Sequence, residues 1–431
     1  MTNTFSAVLI FSSLWLSAAD ASVPAGTVAA GQEFVRVPEP SPKAMDYYQS
    51  GNVLWAVATL WGLALPAVIL FTGFSAGLRN LAQRMTHRWY VALPLYFIAF
   101  SLLVYVVSWP LNYYAGFMRQ HAYGLSTQSF VDWQKDSLKA LAVSVVFGCL
   151  LLWIPYALLR KSPKSWWLYC AFAYVPVAFI IAFIVPVVVD PLYHHFGEMK
   201  NKELEGKILA LAGRAGINGT RVYEVDMSNE TRAINAYVTG FLGTKRIVLW
   251  DTIIARLNER ELLTVVGHEM GHYVLDHVAI GILLSSVAVL VLLWGIDRLG
   301  GLFLSRYQTR FGFSQRADIA SVPLLLLLFR LLLIAGDPVG LAVSRYFEHE
   351  ADRFGLEITK DNRAMASAFV KMEDTNLGNP WPSLLYKVWR STHPPVGERI
   401  DFANHYRPWE TGEPLHYEHL FRPVDRNPHG P

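Results

Sequence analysis

The chain has 431 residues, of which 53% are hydrophobic and only 16% charged, with a formal net charge of +3. A typical soluble domain carries roughly 25% charged residues, so the composition excludes an ordinary soluble enzyme, and the near balance of charge gives no footing to a nucleic-acid partner or an acidic substrate. The two cysteines, Cys149 and Cys170, both sit in apolar runs, which argues against a disulfide framework and leaves any metal to His, Asp or Glu.

In chain order, a short apolar run at residues 5–16 is followed by Ala19-Asp20-Ala21. The pattern predicts a signal peptide over 1–21; because the first four residues lack Lys and Arg, a short uncleaved anchor is the alternative. A proline-containing polar lead-in follows. Six apolar runs then occupy residues 53–76, 90–109, 138–159, 166–189, 278–293 and 321–343, which matches crossings of about 20 apolar residues with some tilt. Trp89, Tyr90, Trp109, Tyr113, Tyr114, Trp166 and Trp167 gather near their ends, as in an interfacial aromatic belt.

Two polar stretches flank the last two runs. The expected organisation is a membrane region with four spans at 22–189, a first catalytic part at 190–277, two further spans at 278–343 and a second catalytic part at 344–431. Within the first polar stretch, the spacing predicts a helix over 202–213, short strands over 221–225 and 246–249, and a helix starting near Asp251 and carrying Leu262, Leu263, Val265 and Val266. Three loops concentrate basic residues: Arg79, Arg84 and Arg88; Arg160, Lys161 and Lys164; Arg298, Arg306, Arg310 and Arg316. With six spans these share one side, and the positive-inside rule puts that side in the cytoplasm. The catalytic stretches then face the periplasm of a bacterial inner membrane.

The chemistry centres on His268-Glu269-Met270-Gly271-His272. Residues four apart share a helix face, so both imidazoles can reach one ion. Zinc accepts neutral imidazole and prefers four ligands. Glu269 can reach a water at such an ion without binding the metal, the arrangement of a metalloprotease general base, and Gly271 permits another element to approach closely. A catalytic site needs a third protein ligand and one open position. After the last run comes Ser344-Arg345-Tyr346-Phe347-Glu348-His349-Glu350-Ala351-Asp352. Glu348 and Asp352 share a face and can supply a ligand and a carboxylate that accepts from an imidazole N–H. Glu350 and His349 are rivals by composition, on other faces.

The pair HEMGH and SRYFEHEAD, separated by two apolar runs, resembles the type I CAAX prenyl endopeptidase family and its bacterial relatives, the HtpX-like membrane proteases. The likeness extends from about residue 88 onward. Asn235-Ala236-Tyr237-Val238-Thr239-Gly240 followed by Lys245-Arg246-Ile247-Val248-Leu249 is similar to the strand segment before the family's zinc helix, and His393-Pro394-Pro395 with Glu398-Arg399 resembles its C-terminal motif. The resemblance implies one Zn2+ per chain on His268, His272 and Glu348. It implies catalytic roles for Glu269, for Asp352 behind a zinc histidine and for His393 at the developing oxyanion. It also implies a substrate-binding strand at Asn235, Ala236 and Tyr237, with Arg399 ordering its region or touching substrate.

His277, five residues after His272, is expected to point away on a continuous helix. Arg330 and Asp337, inside an apolar run, are expected to line a hydrated cavity or to mark the end of a span. The expected fold is mainly α, a polytopic helical membrane protein with a zincin-like α+β catalytic domain. Its expected function is zinc-dependent hydrolysis of peptide or protein substrates at a lipid bilayer, either CAAX-type C-terminal processing or membrane-protein quality control. A transporter or channel with a structural zinc site is the alternative from another class.

Overall fold

The computed structural model describes residues 34–240 and 245–423; the signal peptide or anchor expected at 1–21 lies outside them. The chain enters with α1 (Pro42–Phe71), α2 (Phe74–Met85), α3 (Trp89–Tyr113), a short α4 (Arg119–Ala122), α5 (Phe130–Lys161) and α6 (Trp166–Ile184). A polar portion follows, with β1 (Phe196–Glu198), α7 (Lys202–Arg214), β2 (Arg221–Val225), β3 (Ala236–Thr239), β4 (Arg246–Trp250), α8 (Asp251–Arg256) and α9 (Glu259–Val274). Then come α10 (His277–Phe311), α11 (Val322–Thr359), α12 (Asn362–Thr375), α13 (Leu384–Trp389) and α14 (Val396–His405). Among the described residues, six helices are long and apolar enough to cross a membrane, those built on α1, α3, α5, α6, α10 and α11.

The three basic loops meet at one end of this bundle. Arg79 pairs with Asp318 at 2.5 Å, and Arg316 reaches both the Asp297 carboxylate and the Pro163 carbonyl. Gly312 ends α10 with φ +73, and a side chain there would meet the Ala76 Cβ at 2.9 Å. A glycine is needed for both the left-handed backbone and the close approach. Helix-ending geometry and charge pairing together fix these loops side by side, opposite the polar portion.

The small sheet has the order β1-β2-β4-β3. β2 and β4 run parallel with Val222 opposite Ile247, and β3 pairs antiparallel to β4 with Tyr237 opposite Val248. β3 is therefore an edge strand. A core of Ile208, Ile247, Leu249, Ile253, Val266, Met270, Phe354 and Ile358 joins the sheet, α9 and the end of α11.

One expectation is corrected, and one expected boundary falls inside a continuous helix. The helix expected from Asp251 onward is broken: Leu257 is extended, and Asn258 starts α9 afresh with a reciprocal capping box to Glu261. The boundary expected at 343/344 falls inside α11, an unbroken helix of 38 residues despite Pro338. Arg330 and Asp337 both lie within this helix, and Arg330 faces α1 with its Nε 3.7 Å from the Cβ position of Gly62.

Candidate active site

The site is made where α9 crosses the polar half of α11. Glu261 is buried beneath the start of α9 and binds Ser367 at 2.7 Å and Lys371 at 2.6 Å, which anchors α9 to α12. Further along, Gly267 and Gly271 face Ala351 and Gly355. A Cβ at Gly271 would meet the Ala351 Cα at 3.1 Å, and one at Gly355 would meet the His268 backbone nitrogen at 2.8 Å. Small residues four apart on each helix let the two backbones nearly touch. The next turn of α11 can then bring Glu348 and Asp352 against the histidines.

The Nε2 atoms of His268 and His272 stand 3.2 Å apart, and the Glu348 carboxylate is 3.3 Å from one and 3.4 Å from the other. One ligand atom from each of these residues falls within 4.8 Å of the others, the only such group of three found among the described residues. Glu348 Oε2 is buried with no hydrogen-bond partner. Two nitrogen lone pairs and an orphaned buried oxygen converging on one point fit a divalent cation, since a buried polar atom left alone is costly.

Behind this point, Asp352 lies 2.8 Å from His268 Nδ1 and takes two guanidinium bonds from Arg399 at 2.8 and 2.7 Å. Accepting the Nδ1–H leaves Nε2 with its lone pair forward, which is how a carboxylate orients a ligating imidazole. Arg399 is 9% exposed and lies 4.2 Å from the Phe369 ring centroid. The guanidinium is paired with Asp352, which favours the ordering role over contact with substrate. The rivals for the third ligand point elsewhere, with Glu350 held by Arg353 and Tyr417 and His349 against Phe402.

The opposite side is open. Glu269 keeps 21% of its side chain accessible and His272 25%, and His393 is half-exposed with Nε2 3.2 Å from Glu348. Burial pushes the Glu269 carboxyl above the ordinary range, against the opposing pull of His268 and His272, so it is a stronger base than a surface glutamate. α9 also packs on β3. Asn235 is exposed and Ala236 buried, with Tyr237 between the two extremes.

His277 corrects the expectation that it points away. The chain leaves α9 at Val274, and Asp276 takes φ +53, so the five-residue offset no longer follows a helix. His277 Nδ1 comes 2.9 Å from His272 Nδ1, and its ring stacks on Phe347 at 4.3 Å. With His272 Nε2 as a metal ligand, the Nδ1–H of His272 can donate to His277 Nδ1, as that of His268 does to Asp352. No periodicity signals the reversal. His277→Ala is expected to weaken metal binding by about 10–100-fold, measured by competition with a chromogenic chelator; unchanged affinity would remove His277 from the site.

Two family models cover most of the chain: CAAX prenyl protease N-terminal, five membrane helices, at residues 38–195, and peptidase family M48 at residues 198–407. A Bacillus subtilis protein described as the uncharacterized metalloprotease YhfN is 37% identical over 378 residues, which is 88% of each chain. The CAAX prenyl protease 1 homolog of Dictyostelium discoideum is 29% identical over 375 residues, 85% of each. The crystal structure of S. mikatae Ste24p superposes with a TM-score of 0.71 at 24% identity, covering 84% of this chain and 87% of that one, a likeness of fold. Nothing among these supports a transporter or channel. A bundle of six membrane-length helices carrying a His-His-Glu group in a sequence of this kind belongs to peptidase family M48, and the chain is a membrane metalloendopeptidase of the CAAX prenyl protease type.

Proposed function

We propose that the protein is a zinc endopeptidase in which His268, His272 and Glu348 hold the ion, Glu269 is the general base and acid, and His393 stabilises the oxyanion. The observation that carries the reading is the convergence of three ligand atoms from two helices on a point flanked by a partly accessible carboxylate and a half-exposed imidazole. Two imidazoles and one carboxylate with a fourth position open are the donor set of a catalytic zinc site. When bound there, zinc supplies Lewis acidity and a more acidic water. Glu269 takes the proton of the attacking water and delivers it to the leaving amine. His393 donates to the oxygen on which charge develops. Asp352 and His277 hold the two ligand rings in their working tautomers, and the edge of β3, from Asn235 through Tyr237, receives the substrate backbone as an added strand.

The substrate we infer is a peptide or protein segment at the bilayer surface, cut in C-terminal processing, as the names of the CAAX prenyl protease relatives suggest for those proteins. Membrane-protein quality control is the second use of the same chemistry. The three basic loops lie together at the end opposite the catalytic portion, which supports a catalytic face outside the cytoplasm, periplasmic in a bacterial inner membrane.

The test is metal content paired with activity. Purified protein is expected to carry one zinc ion per chain by elemental analysis, to lose peptide cleavage on treatment with a chelator and to recover it with one equivalent of zinc. Full activity in metal-free protein would end the proposal.

A further inference from the structure

The polar portions of the chain cover most of their large apolar side chains, with one local exception. Among the described residues of 196–274 and 344–423, the large apolar or aromatic side chains that stand exposed are Leu209, Tyr346, Trp381, Leu384 and Leu385. Three of these fall within five positions, at the start of α13: Trp381 is 54% exposed, Leu384 76% and Leu385 59%. Apolar residues scattered singly over a surface are ordinary, but a cluster marks a surface that something covers.

The patch is built on fixed backbone. Gly397 N donates to the Pro380 carbonyl at 3.1 Å, and a side chain at Gly397 would strike the Trp381 indole, so that ring lies on the first turn of α14. Tyr48 of α1 donates to Ser383 Oγ at 3.0 Å and accepts from the Ser383 N–H at 2.9 Å. α13 turns its other side inward. Tyr386 packs on Tyr48 with ring centroids 5.1 Å apart, and the Trp389 indole donates to the Ile334 carbonyl at 3.2 Å. Arg345 of α11 donates to the carbonyls of Lys387 and Ser391 at 2.6 and 3.0 Å.

These anchors set the height of α13. It lies along α11 between Ile334 and Arg345, a stretch that takes in the end of the apolar run at 321–343. At a rise of 1.5 Å per residue, that stretch is about 5–21 Å before Glu348 along the helix. On α1 the anchor is Tyr48, five residues before Val53, where the exposed apolar row of Val53, Val57 and Leu60 begins. The long apolar helices take a bilayer around them, and α13 rests against two of them where that apolar surface ends. Its composition is that of the membrane–water boundary, with Trp381, Tyr386 and Trp389 beside Lys387 and Arg390. A short element of this kind lies in the plane of the interface, with aliphatic side chains toward the lipid and basic heads toward the headgroups.

We propose that Trp381, Leu384 and Leu385 dip into the leaflet on the catalytic side, and that α13 is the membrane-docking element of the catalytic portion. Its partner is the acyl–headgroup boundary of the bilayer itself. The docked element leads in four residues from Trp389 to His393, so lipid contact holds the stretch that carries His393 at a fixed height. Docking of this kind needs the spans but not the peptidase chemistry, and it stands apart from the function proposed above.

The experiment uses the full-length protein with Cys149→Ala and Cys170→Ala, reconstituted in vesicles of phosphatidylcholine and phosphatidylglycerol. Leu384→Cys carries a nitroxide label, and Leu209→Cys on α7, which packs on α9 and β2, is the reference. Electron paramagnetic resonance power saturation with oxygen and a nickel chelate reads the depth of each label. The label at 384 is expected about 5–10 Å below the phosphate level, with oxygen favoured over the chelate, and the label at 209 in water. A label at 384 that meets the chelate as freely as the one at 209 faces water and overturns the proposal. A label at 384 that is immobilised and reached by neither agent is covered by protein, which overturns it equally. A second reading keeps the native cysteines. Trp381→Phe is expected to remove a fluorescence component that brominated lipid chains quench and aqueous iodide does not, and a component quenched by iodide alone sinks the docking. The thermal midpoint of each variant checks that it is folded.

Discussion

Glu269→Gln is expected to keep its zinc and to lose peptide hydrolysis by about 10²–10⁴-fold, the range that general acid–base catalysis contributes. Glutamine fills the same space and keeps the hydrogen-bonding shape, but it cannot take a proton. The effect belongs in kcat, because nothing in the arrangement makes Glu269 a metal ligand: its closest approach is Oε1 at 4.0 Å from His268 Nε2. Elemental analysis alongside steady-state kinetics checks both halves. A variant that hydrolysed peptide at the wild-type rate would show that another group moves the proton.

Asp352→Ala should be the most damaging substitution for the fold around the site. Asp352 is 1% exposed and is the principal counter-ion of Arg399, itself 9% exposed. Removing it leaves a buried guanidinium uncompensated, and such losses cost about 3–5 kcal/mol. It also frees the Nδ1–H of His268, so metal affinity should fall by about 10–100-fold. The two effects separate in the double variant Asp352→Ala/Arg399→Met. Once the stranded charge is gone, the thermal midpoint should recover most of its loss while weak metal binding persists. If Asp352→Ala alone left midpoint and metal content unchanged, the pair would contribute neither stability nor ligand orientation.

Several parts of this arrangement were legible before any coordinates. Six apolar runs announced the six long helices because burying a backbone in lipid demands uninterrupted helix. His268 and His272 could be paired because their four-residue spacing lies within one helix, where geometry follows from period alone. The capping box of Asn258 and Glu261 is also written in the sequence, yet the helix was expected to run through it, since apolar spacing on both sides masked the break.

What periodicity cannot carry is a change of direction or a meeting between distant elements. His277 was assigned to the wrong side because a single residue, Asp276 at φ +53, reverses the phase of the chain after α9. Arg399 was left between ordering its region and touching substrate because its partner Asp352 lies 47 positions away and only the folded chain joins them.

The sequence by itself therefore determined the membrane class, the helical period of the zinc motif and the residue types available to bind a metal, since all of these follow from local backbone geometry and transfer between water and lipid. The sequence also singled out Glu348 as the third ligand, through its spacing to Asp352 and the family resemblance, but only the tertiary structure shows how its carboxylate reaches the histidines. Glu348 is brought forward, and His349 and Glu350 are turned away, because Gly267 and Gly271 let α9 settle onto Ala351 and Gly355 of α11 at near backbone contact. That crossing fixes which face of α11 points at the imidazoles, and no pattern within either helix specifies it.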